Sequence, residues 1–485
     1  MALLEHIEQA IWSWPLLLLI LGCGVYLNLR LRAFPLRRLP LALRLIFEKP
    51  KGSGISPFAS LCTALSATIG TGNIVGVATA VVLGGPGALL WMNVGAIVCM
   101  SVKYAECLLA VRFRKETENG YRGGPFVYLR QIPGKTGRLL AALFALFGAL
   151  AGVLGVGTFV QVNSITYGLD YWLTHCVPTA VPCITLFGCR YSLLIPILCG
   201  ILTALTAIIL RGGVERISGV SAVLVPLMAG LYLFLCLWIL AANRAVLPGV
   251  LCRVVTEAFS PRSVCGGLLG VLQAGISRGI FSNEAGLGTA PIAAAAAAGD
   301  PVRQGLVGMT ANLFDTVIVC SLTGLAVLCT GADRLGLAGT TVTMQAFSRG
   351  LPFSPTLAQG AVLLCLLLFA FTTVIGWSYY GVQCLGYLTR DNRTFRRIYL
   401  ILYVSTVFFA PYLRVETVWA AANICNGLMA APNLLGLLLL GGVAARETLD
   451  GNGIMKGKRK NGGHHEKTLF PDACRTSASD GVRLS

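Results

Sequence analysis

A series of apolar segments, each long enough to cross a lipid bilayer, constrains the fold of this chain more than any other feature. A hydrocarbon core about 30 Å thick requires roughly 20 consecutive apolar residues in a helix. The sequence contains eleven such segments, at about 11–29, 58–83, 87–111, 139–170, 191–210, 217–242, 266–299, 305–331, 356–385, 396–412 and 416–445. Because lipid offers no partner to a free backbone amide or carbonyl, and strand-like alternation is missing, the segments predict an all-α polytopic membrane protein.

The composition excludes the common soluble classes. Hydrophobic residues make up 55% of the chain and charged residues 12%, which is about half of the roughly 25% charged content of soluble domains. A net charge of +18 would suggest nucleic acid as the partner of a soluble protein. Here the basic residues cluster in alternate connecting segments, as membrane topology requires. We therefore expect a lipid bilayer around the chain and no nucleic-acid partner.

The distribution of Lys and Arg predicts the orientation of the chain. Segments on one face hold 21 of these residues, with seven in 30–51 and seven in 112–138, whereas the loops on the opposite face hold seven. Lys and Arg accumulate on the cytoplasmic side, so the richer face is expected to be cytoplasmic. The amino terminus is then outside and, with eleven spans, the carboxyl terminus is in the cytoplasm. The expected location is the cell (inner) membrane.

The predicted spans divide into an extra helix and two sets of five. Residues 1–30 contain the extra helix, and a basic cytoplasmic loop follows over 31–57. The two five-helix repeats cover 58–242 and 266–445, and an odd number of spans per repeat inverts the second relative to the first. Residues 446–485 are polar and predict a disordered cytoplasmic tail.

The leading span of each repeat is interrupted by glycines and hydrogen-bonding residues. The interruptions read SATIGTGN at 66–73 and GISRGIFSNEAGLG at 275–288. Discontinuous helices at matching positions of inverted halves indicate a transporter binding site, where amino ends of half-helices face anions and free carbonyls hold cations. Glycine can also serve close helix packing alone, but the hydroxyls and amides around Gly70 and Gly72 favour a binding site.

Neither nucleotide-driven transport nor catalysis finds support in the sequence. Gly134-Lys135-Thr136 lacks the opening glycine of a phosphate-binding loop, because position 129 is a leucine. The four histidines lie outside the predicted spans, and no cluster with metal-ligand spacing is present. We therefore expect neither an enzyme nor a cofactor. A membrane potential of about 100 mV is worth roughly 2.3 kcal/mol per charge, which could drive cation-coupled transport.

Several longer motifs resemble the alanine or glycine:cation symporter family, a group of bacterial and archaeal sodium-coupled carriers of small amino acids. The motifs are GGPGALLWM at 84–92, KYAE at 103–106, RGIFSNEAGLG at 278–288, FTTVIGWSYYG at 371–381 and NGLMAAPN at 426–433. The resemblance covers nearly the whole chain except the polar tail. It implies a leucine-transporter-like five-plus-five inverted repeat preceded by one extra helix, which agrees with the repeat described above.

The resemblance also implies a site for a small amino acid. Its residues would be Thr71, Gly72, Asn73, Gln161, Tyr167, Thr373 and Trp377. The first three, at the break of the leading span, would meet the substrate carboxylate. Gln161 and Tyr167 would line the pocket, and Thr373 and Trp377 would close it. For Trp377 an anchor at the membrane interface is the alternative.

Sodium is the coupling ion that the resemblance implies. It prefers oxygen ligands, and the implied set consists of the backbone carbonyls of Ser66 and Ile69, a carbonyl near Phe369, and the hydroxyls of Thr372 and Thr373. Adjacent threonines can instead hydrogen-bond to their own helix.

Charged residues inside the predicted spans are costly to bury and are therefore candidate functional groups. Arg278, Glu284 and Asp315 are candidates for gating or coupling. Lys103 and Glu106, near a helix end, are expected to form a structural ion pair or to reach the membrane interface. The sequence thus predicts a sodium-coupled importer of alanine or glycine that works by alternating access. Alternatives are a proton-coupled symporter using Glu284 or Asp315, and a ligand-gated channel or membrane sensor.

Three cysteines fall in one predicted outside loop. They are Cys176, Cys183 and Cys189. Oxidation is possible outside the cell, so a disulfide and three free thiols are both compatible with the sequence.

Overall fold

The described part of the chain is built from helices and two short β-hairpins. The computed structural model describes residues 2–12, 14–49, 54–117, 120–176, 182–186, 189–259, 268–413 and 415–455. The amino-terminal helices are α1 (Ala2–Ile11), α2 (Trp14–Arg30), α3 (Phe34–Arg37) and α4 (Leu39–Leu45). The span predicted at 11–29 corresponds to α2, and α1 precedes it. Pro15 lies in the first turn of α2, where its missing amide costs little. The basic loop predicted over 31–57 contains two further short helices.

The helices that follow alternate between long spans and short connecting turns. In the first half they are α5 (Pro57–Thr68), α6 (Gly72–Gly84), α7 (Gly87–Arg112), α8 (Pro125–Tyr128), α9 (Gly134–Leu154), α10 (Phe159–Cys176), α11 (Leu194–Leu210), α12 (Gly213–Ala242) and α13 (Leu247–Ala258). In the second half they are α14 (Leu268–Asn283), α15 (Ala290–Ala295), α16 (Pro301–Cys329), α17 (Thr340–Gly350), α18 (Pro355–Thr389), α19 (Arg393–Phe409) and α20 (Val415–Met455).

The two β-hairpins were not predicted from the sequence. Strands β1 (Lys115–Thr117) and β2 (Gly120–Arg122) are antiparallel, and so are β3 (Cys183–Leu186) and β4 (Cys189–Ser192). Cys176, at the end of α10, is a free thiol that donates a hydrogen bond to Gln359 Oε1 at 3.1 Å. The side chain of Cys189 lies outside the described residues, so a disulfide and free thiols both stay predictions for Cys183 and Cys189.

The described helices include several that can cross a membrane. Six segments are long and apolar enough when α9 and α10 are taken as one, and a seventh is added if the bent pair α5 and α6 counts as one span. Helices α2 and α11 are apolar but have only 17 residues each. The all-helical membrane class is confirmed, whereas the eleven spans and the inverted repeat stay predictions. One reason is that the predicted span 266–299 is not a continuous helix, since α14 ends at Asn283.

Two long helices occupy the centre of the fold. Helix α7 packs against α14, α15 and α16, whereas α18 packs against α5, α9, α10 and α12. The two discontinuous helices therefore have different neighbours. The break after α5 lies beside α18, and the break after α14 lies beside α7.

The last helix extends further than the sequence predicted. Helix α20 continues to Met455, ten residues into the segment 446–485 that was expected to be a disordered tail. Contacts with α7 hold these turns, because the Thr448 and Tyr104 hydroxyls lie 2.9 Å apart and Arg112 Nε lies 2.9 Å from Glu447 Oε2. The remainder of the predicted tail, 456–485, lies outside the described residues.

Candidate functional site

The first discontinuous helix breaks at residues 69–71, between α5 and α6. Ile69 leaves the helix with an extended backbone, at ψ 92°. The amide of Gly70 would bond the Ser66 carbonyl in a continuous helix, but it donates to Asn73 Oδ1 at 2.9 Å. The chain bends by 56° at this point. The break therefore exposes carbonyls at the end of α5 and amides at the start of α6 to other partners.

Side chains from two other helices close around this break. The Thr373 hydroxyl of α18 donates to the Ile69 carbonyl at 3.4 Å, and Gln161 Oε1 of α10 accepts the Thr71 amide at 3.2 Å. A Cβ on Gly70 would lie 2.6 Å from Thr373 Oγ1 and 3.1 Å from Gln161 Oε1. The polar side chains are buried, with Gln161 2% exposed. The three elements thus meet in a space that only glycine fits.

Further oxygen atoms of α18 lie at the carboxyl end of α5. The Thr372 and Thr373 hydroxyls both donate to the Phe369 carbonyl, at 2.9 and 3.0 Å. The back-bonding considered from the sequence is therefore present, and Thr373 bridges to α5 at the same time. Ser66 also packs closely against α18. If residue 376 carried a Cβ in place of the glycine hydrogen, that atom would lie 2.8 Å from Ser66 Oγ. The residues predicted to bind sodium thus lie where α5 and α18 pack together.

The hydroxyl of Thr71 has no partner within the described structure. It is fully buried, yet Oγ1 forms no hydrogen bond with a described residue. An unsatisfied buried donor of this kind costs about 1–3 kcal/mol. Next to it, Gly72 faces the second discontinuous helix, where a Cβ would lie 3.5 Å from Ser282 Cα. Thr71 therefore presents an unused hydrogen-bonding group where the two discontinuous helices meet.

The second discontinuous helix breaks between α14 and α15, at residues 284–289. Glu284 has a positive φ of 53°, a backbone conformation that few non-glycine residues adopt. Asn283 Oδ1 accepts the Ala285 amide at 3.0 Å, which replaces a helical bond. The interruption predicted at 275–288 is thus present, but it is confined to the end of that segment.

A buried carboxylate joins the two discontinuous helices. Asp315 lies in the π-helical stretch of α16, a wide turn that is frequent at functional sites. Its Oδ1 accepts Asn73 Nδ2 at 2.8 Å, and its Oδ2 accepts the hydroxyls of Ser282 at 2.8 Å and Thr316 at 2.7 Å. In the described part of the chain, no Lys or Arg nitrogen lies within 4.0 Å of this carboxylate.

Trp377 connects α18 to the second break. Its Nε1 donates to Glu284 Oε1 at 3.0 Å, while the Thr289 hydroxyl donates to Oε2 of the same carboxylate at 2.5 Å. The ring is fully buried and packs at the bend between α9 and α10, where a Cβ on Gly157 would lie 2.8 Å from Trp377 Cβ. A fully buried ring does not fit the role of interfacial anchor. Glu284 thus accepts one hydrogen bond from Thr289 across the break and one from Trp377 of α18.

Two predicted site residues lie away from these contacts. Tyr167 is 52% exposed and stands six residues after Gln161, which places the two on different faces of α10. Arg278 packs its guanidinium on Trp419, with Cζ 5.7 Å from the ring centroid. It forms no ion pair with Glu284 or Asp315 among the residues that the structure describes.

Of the two alternatives for Lys103 and Glu106, the membrane interface is wrong, and neither residue forms an ion pair within 4.0 Å in the described part of the chain. Both side chains are completely buried, because α7 packs against α14, α15 and α16 along this part of its length. Lys103 Nζ donates to the Asn283 carbonyl at 2.7 Å, and Glu106 Oε1 accepts Asn433 Nδ2 at 2.6 Å. Two charges three residues apart in an apolar helix are the signal that could have identified this interior pair.

A cavity of about 1030 Å³ approaches the site from one face. Its lining includes Arg122 and Asp391, which form an ion pair, and Ser378 and Tyr379, which directly follow Trp377. Most of the lining comes from the ends of helices that the charge distribution predicts to be cytoplasmic. On the opposite face α17 covers α6, where the Thr343 hydroxyl donates to the Ile74 carbonyl at 3.0 Å.

Comparison with known proteins relates almost the entire chain to one family. The model of the sodium:alanine symporter family matches residues 1–464. A transporter of Haemophilus influenzae without assigned function is 45% identical over 459 residues, which cover 93% of this chain and 95% of the relative. The sodium/alanine symporter AgcS of Methanococcus maripaludis is 40% identical over 479 residues, 95% of this chain and 99% of the relative. A probable sodium/glutamine symporter of Bacillus subtilis is 35% identical over 450 residues, 90% and 88% of the two chains.

These relatives settle the class of protein. They are transporters, and those with assigned functions are named as amino-acid symporters, which agrees with the apolar helices of an integral membrane protein. Membership favours the symporter over the ligand-gated channel or membrane sensor that the sequence left open. The chain therefore belongs to the sodium:alanine symporter family and is a cation-coupled amino-acid symporter rather than an enzyme.

Proposed function

We propose that this protein is a sodium-coupled symporter that imports small neutral amino acids, alanine and glycine, across the inner membrane by alternating access. The central observation is the meeting of α5, α10 and α18 at the first break, where carbonyls, hydroxyls and amides are bonded to side chains instead of to a continuous helix. In this proposal the fold is a five-plus-five inverted repeat after one extra helix, with the amino terminus outside and the carboxyl terminus in the cytoplasm. The symporter of Methanococcus maripaludis, named for sodium and alanine, supports the same assignment.

The amino acid would bind with its carboxylate at the start of α6. The Thr71 amide now donates to Gln161 Oε1, and a substrate carboxylate could accept this amide and the unused Thr71 hydroxyl together. Gly72 and Asn73 contribute backbone at the same turn, where the amino end of a helix favours an anion. Thr373 and Trp377, one turn apart on α18, would form the wall that limits the substrate side chain to a small group.

Sodium would bind between α5 and α18. Its proposed ligands are the carbonyls of Ser66 and Ile69, the carbonyl near Phe369, and the hydroxyls of Thr372 and Thr373. All of these groups are neutral oxygens, which can replace the hydration shell of a monovalent cation. The ion's charge is therefore free to attract the substrate carboxylate at the adjacent turn. Each ligand then raises the affinity for the other, which is the coupling that symport requires.

Release would use the cavity at the predicted cytoplasmic face. That cavity ends beside Ser378 and Tyr379, so its inner end lies next to the proposed wall at Trp377. The opposite face is covered by α17. This arrangement fits a conformation that has closed toward the outside and can release its contents inward.

The contribution of Gln161 can be tested by substitution. We expect Gln161→Ala to lower the apparent affinity for alanine about tenfold, since it removes a buried polar side chain that packs against Gly70 in the proposed pocket and leaves a cavity at the break. Thr166→Val is a matched control, because in the described structure that hydroxyl bonds to carbonyls of its own helix. Concentration-dependent uptake in proteoliposomes measures the effect. Tyr167→Ala should lower affinity less than Gln161→Ala, and an equal loss would place Tyr167 in the pocket as the sequence predicted.

A proton-coupled symporter is the second candidate. It is favoured by Glu284 and Asp315, which are buried without a cationic nitrogen within 4.0 Å in the described structure. Buried carboxylates without a cation are costly, and protonation removes that cost. Under this second candidate, Arg278 would act as a gating charge from its position on Trp419.

The Asp315→Asn variant distinguishes the two coupling ions. Under sodium coupling we expect about tenfold slower uptake, because the contacts with Asn73 and Ser282 are disturbed, while sodium remains required. Under proton coupling, a pH gradient alone would drive uptake by the wild-type protein and this variant would lose that drive. Uptake under imposed sodium or pH gradients separates these results.

A further inference from the structure

The second break contains a cation supplied by the protein itself. Asn283 is the last residue of the 16-residue helix α14, and its carbonyl accepts Lys103 Nζ at 2.7 Å. The carboxyl end of a helix carries about half a negative charge. The ammonium of Lys103 therefore occupies the position at this broken end where a free cation would be attracted, and it is completely buried there.

The same face of α7 supplies the balancing anion. Glu106 stands three residues after Lys103, and its carboxylate is completely buried. Asn433 Nδ2 links the two, since it lies 2.6 Å from Glu106 Oε1 and 2.9 Å from the Gly286 carbonyl. One helix thus brings a positive group to the end of α14 and a negative group to the segment after it.

The first break is different in this respect. Its backbone groups bond only to neutral side chains in the described structure: Asn73 accepts the Gly70 amide, Gln161 accepts the Thr71 amide and Thr373 donates to the Ile69 carbonyl. No ammonium or guanidinium lies among these contacts. A mobile cation can therefore be accommodated at the first break, whereas the corresponding position at the second is already filled.

We propose that Lys103 is a tethered cation that takes the place of a second coupling ion, so that one sodium ion accompanies each amino acid. The ammonium is attached to α7, so its positive charge stays at the second break throughout the cycle. This inference rests on the proposed sodium site at the first break. Lys103 is a positioning residue here, since it acts through the end of α14 and does not touch the substrate.

Removing the tethered charge should change the number of sodium ions that the protein requires. Lys103→Met keeps the length of the side chain but leaves the Asn283 carbonyl and the Glu106 carboxylate without a cation. We expect sodium to fill the vacated position. The Hill coefficient for sodium should rise from about 1 to about 2, and the sodium concentration for half-maximal uptake should rise at least about tenfold. Lys103→Arg, which retains the charge, should keep a Hill coefficient of about 1.

Equilibrium binding of radioactive sodium to the purified full-length protein provides a readout that does not depend on transport. We expect one ion per chain in the wild type and two in Lys103→Met. The double variant Lys103→Met/Glu106→Gln, which keeps the net charge, should again bind one ion, because the anion that attracts the second is gone. One bound ion in Lys103→Met, or two in the wild type, contradicts the proposal. Uptake by the wild type that is independent of sodium would instead overturn the proposed sodium site.

Discussion

Gly70→Ala is expected to abolish sodium-dependent alanine uptake, with a loss of about 100-fold or more. The new Cβ would lie 2.6 Å from Thr373 Oγ1 and 3.1 Å from Gln161 Oε1. The first distance is shorter than contacts between such atoms allow, so one of the two side chains must move. Overpacking of this kind costs about 1–3 kcal/mol, and 2.7 kcal/mol corresponds to about 100-fold. Both side chains, Thr373 and Gln161, belong to the proposed site, so we expect the overpacking to weaken the binding of sodium and alanine.

A matched glycine controls for loss of folding. Gly76 lies in α6, six residues after Gly70, and a Cβ there would meet nothing within 4 Å. Gly76→Ala should therefore retain most of the wild-type uptake. Uptake of labelled alanine, normalised to the amount of protein in the membrane, measures both variants. If Gly70→Ala transports alanine as fast as Gly76→Ala, the first break is not the binding site.

Thr373→Ala is expected to raise the sodium concentration for half-maximal uptake about 10- to 100-fold. The Thr373 hydroxyl lies 3.4 Å from the Ile69 carbonyl and 3.0 Å from the Phe369 carbonyl, so its loss removes an oxygen from the middle of the proposed ion site. Hydrogen bonds and ligands to charged groups contribute about 1.5–3 kcal/mol, which agrees with this range.

The conservative variant Thr373→Ser separates the hydroxyl from the methyl group of the side chain. It should stay within about threefold of the wild-type sodium dependence, because the oxygen is retained. Sodium titrations of alanine uptake in proteoliposomes give the values. Full sodium stimulation in Thr373→Ala would exclude this hydroxyl as a ligand.

The sequence predicted most helices because a membrane imposes a length and a composition on each span. It also predicted where both discontinuous helices lie, since Gly70, Gly72 and the glycines of 275–288 stand beside hydrogen-bonding residues. The exact break points, 69–71 and 284–289, depend on which amide finds a side-chain acceptor. At each break an asparagine side chain accepts a backbone amide that would bond to a carbonyl in a continuous helix. Asn73 accepts the Gly70 amide, and Asn283 accepts the Ala285 amide.

Contacts between distant segments could not be read from local pattern. Gln161 bonds a residue 90 positions away, and Thr373 bonds one 304 positions away. The family resemblance assigned both residues to one site, and the structure places both at the first break. The same limitation explains Lys103 and Glu106, whose position in the sequence suggested a helix end, although neighbouring helices bury them. The β-hairpins were missed because strands of three or four residues carry no usable alternation.

Sodium-driven accumulation of alanine tests the central claim most directly. Purified protein is reconstituted in vesicles, and labelled alanine is followed under an inward sodium gradient, an inward choline gradient or an inward proton gradient without sodium. The account predicts accumulation above the external alanine concentration only with sodium, with glycine as a competitor. Accumulation that is driven equally well by protons in the absence of sodium, or uptake no greater than in empty vesicles, would contradict it.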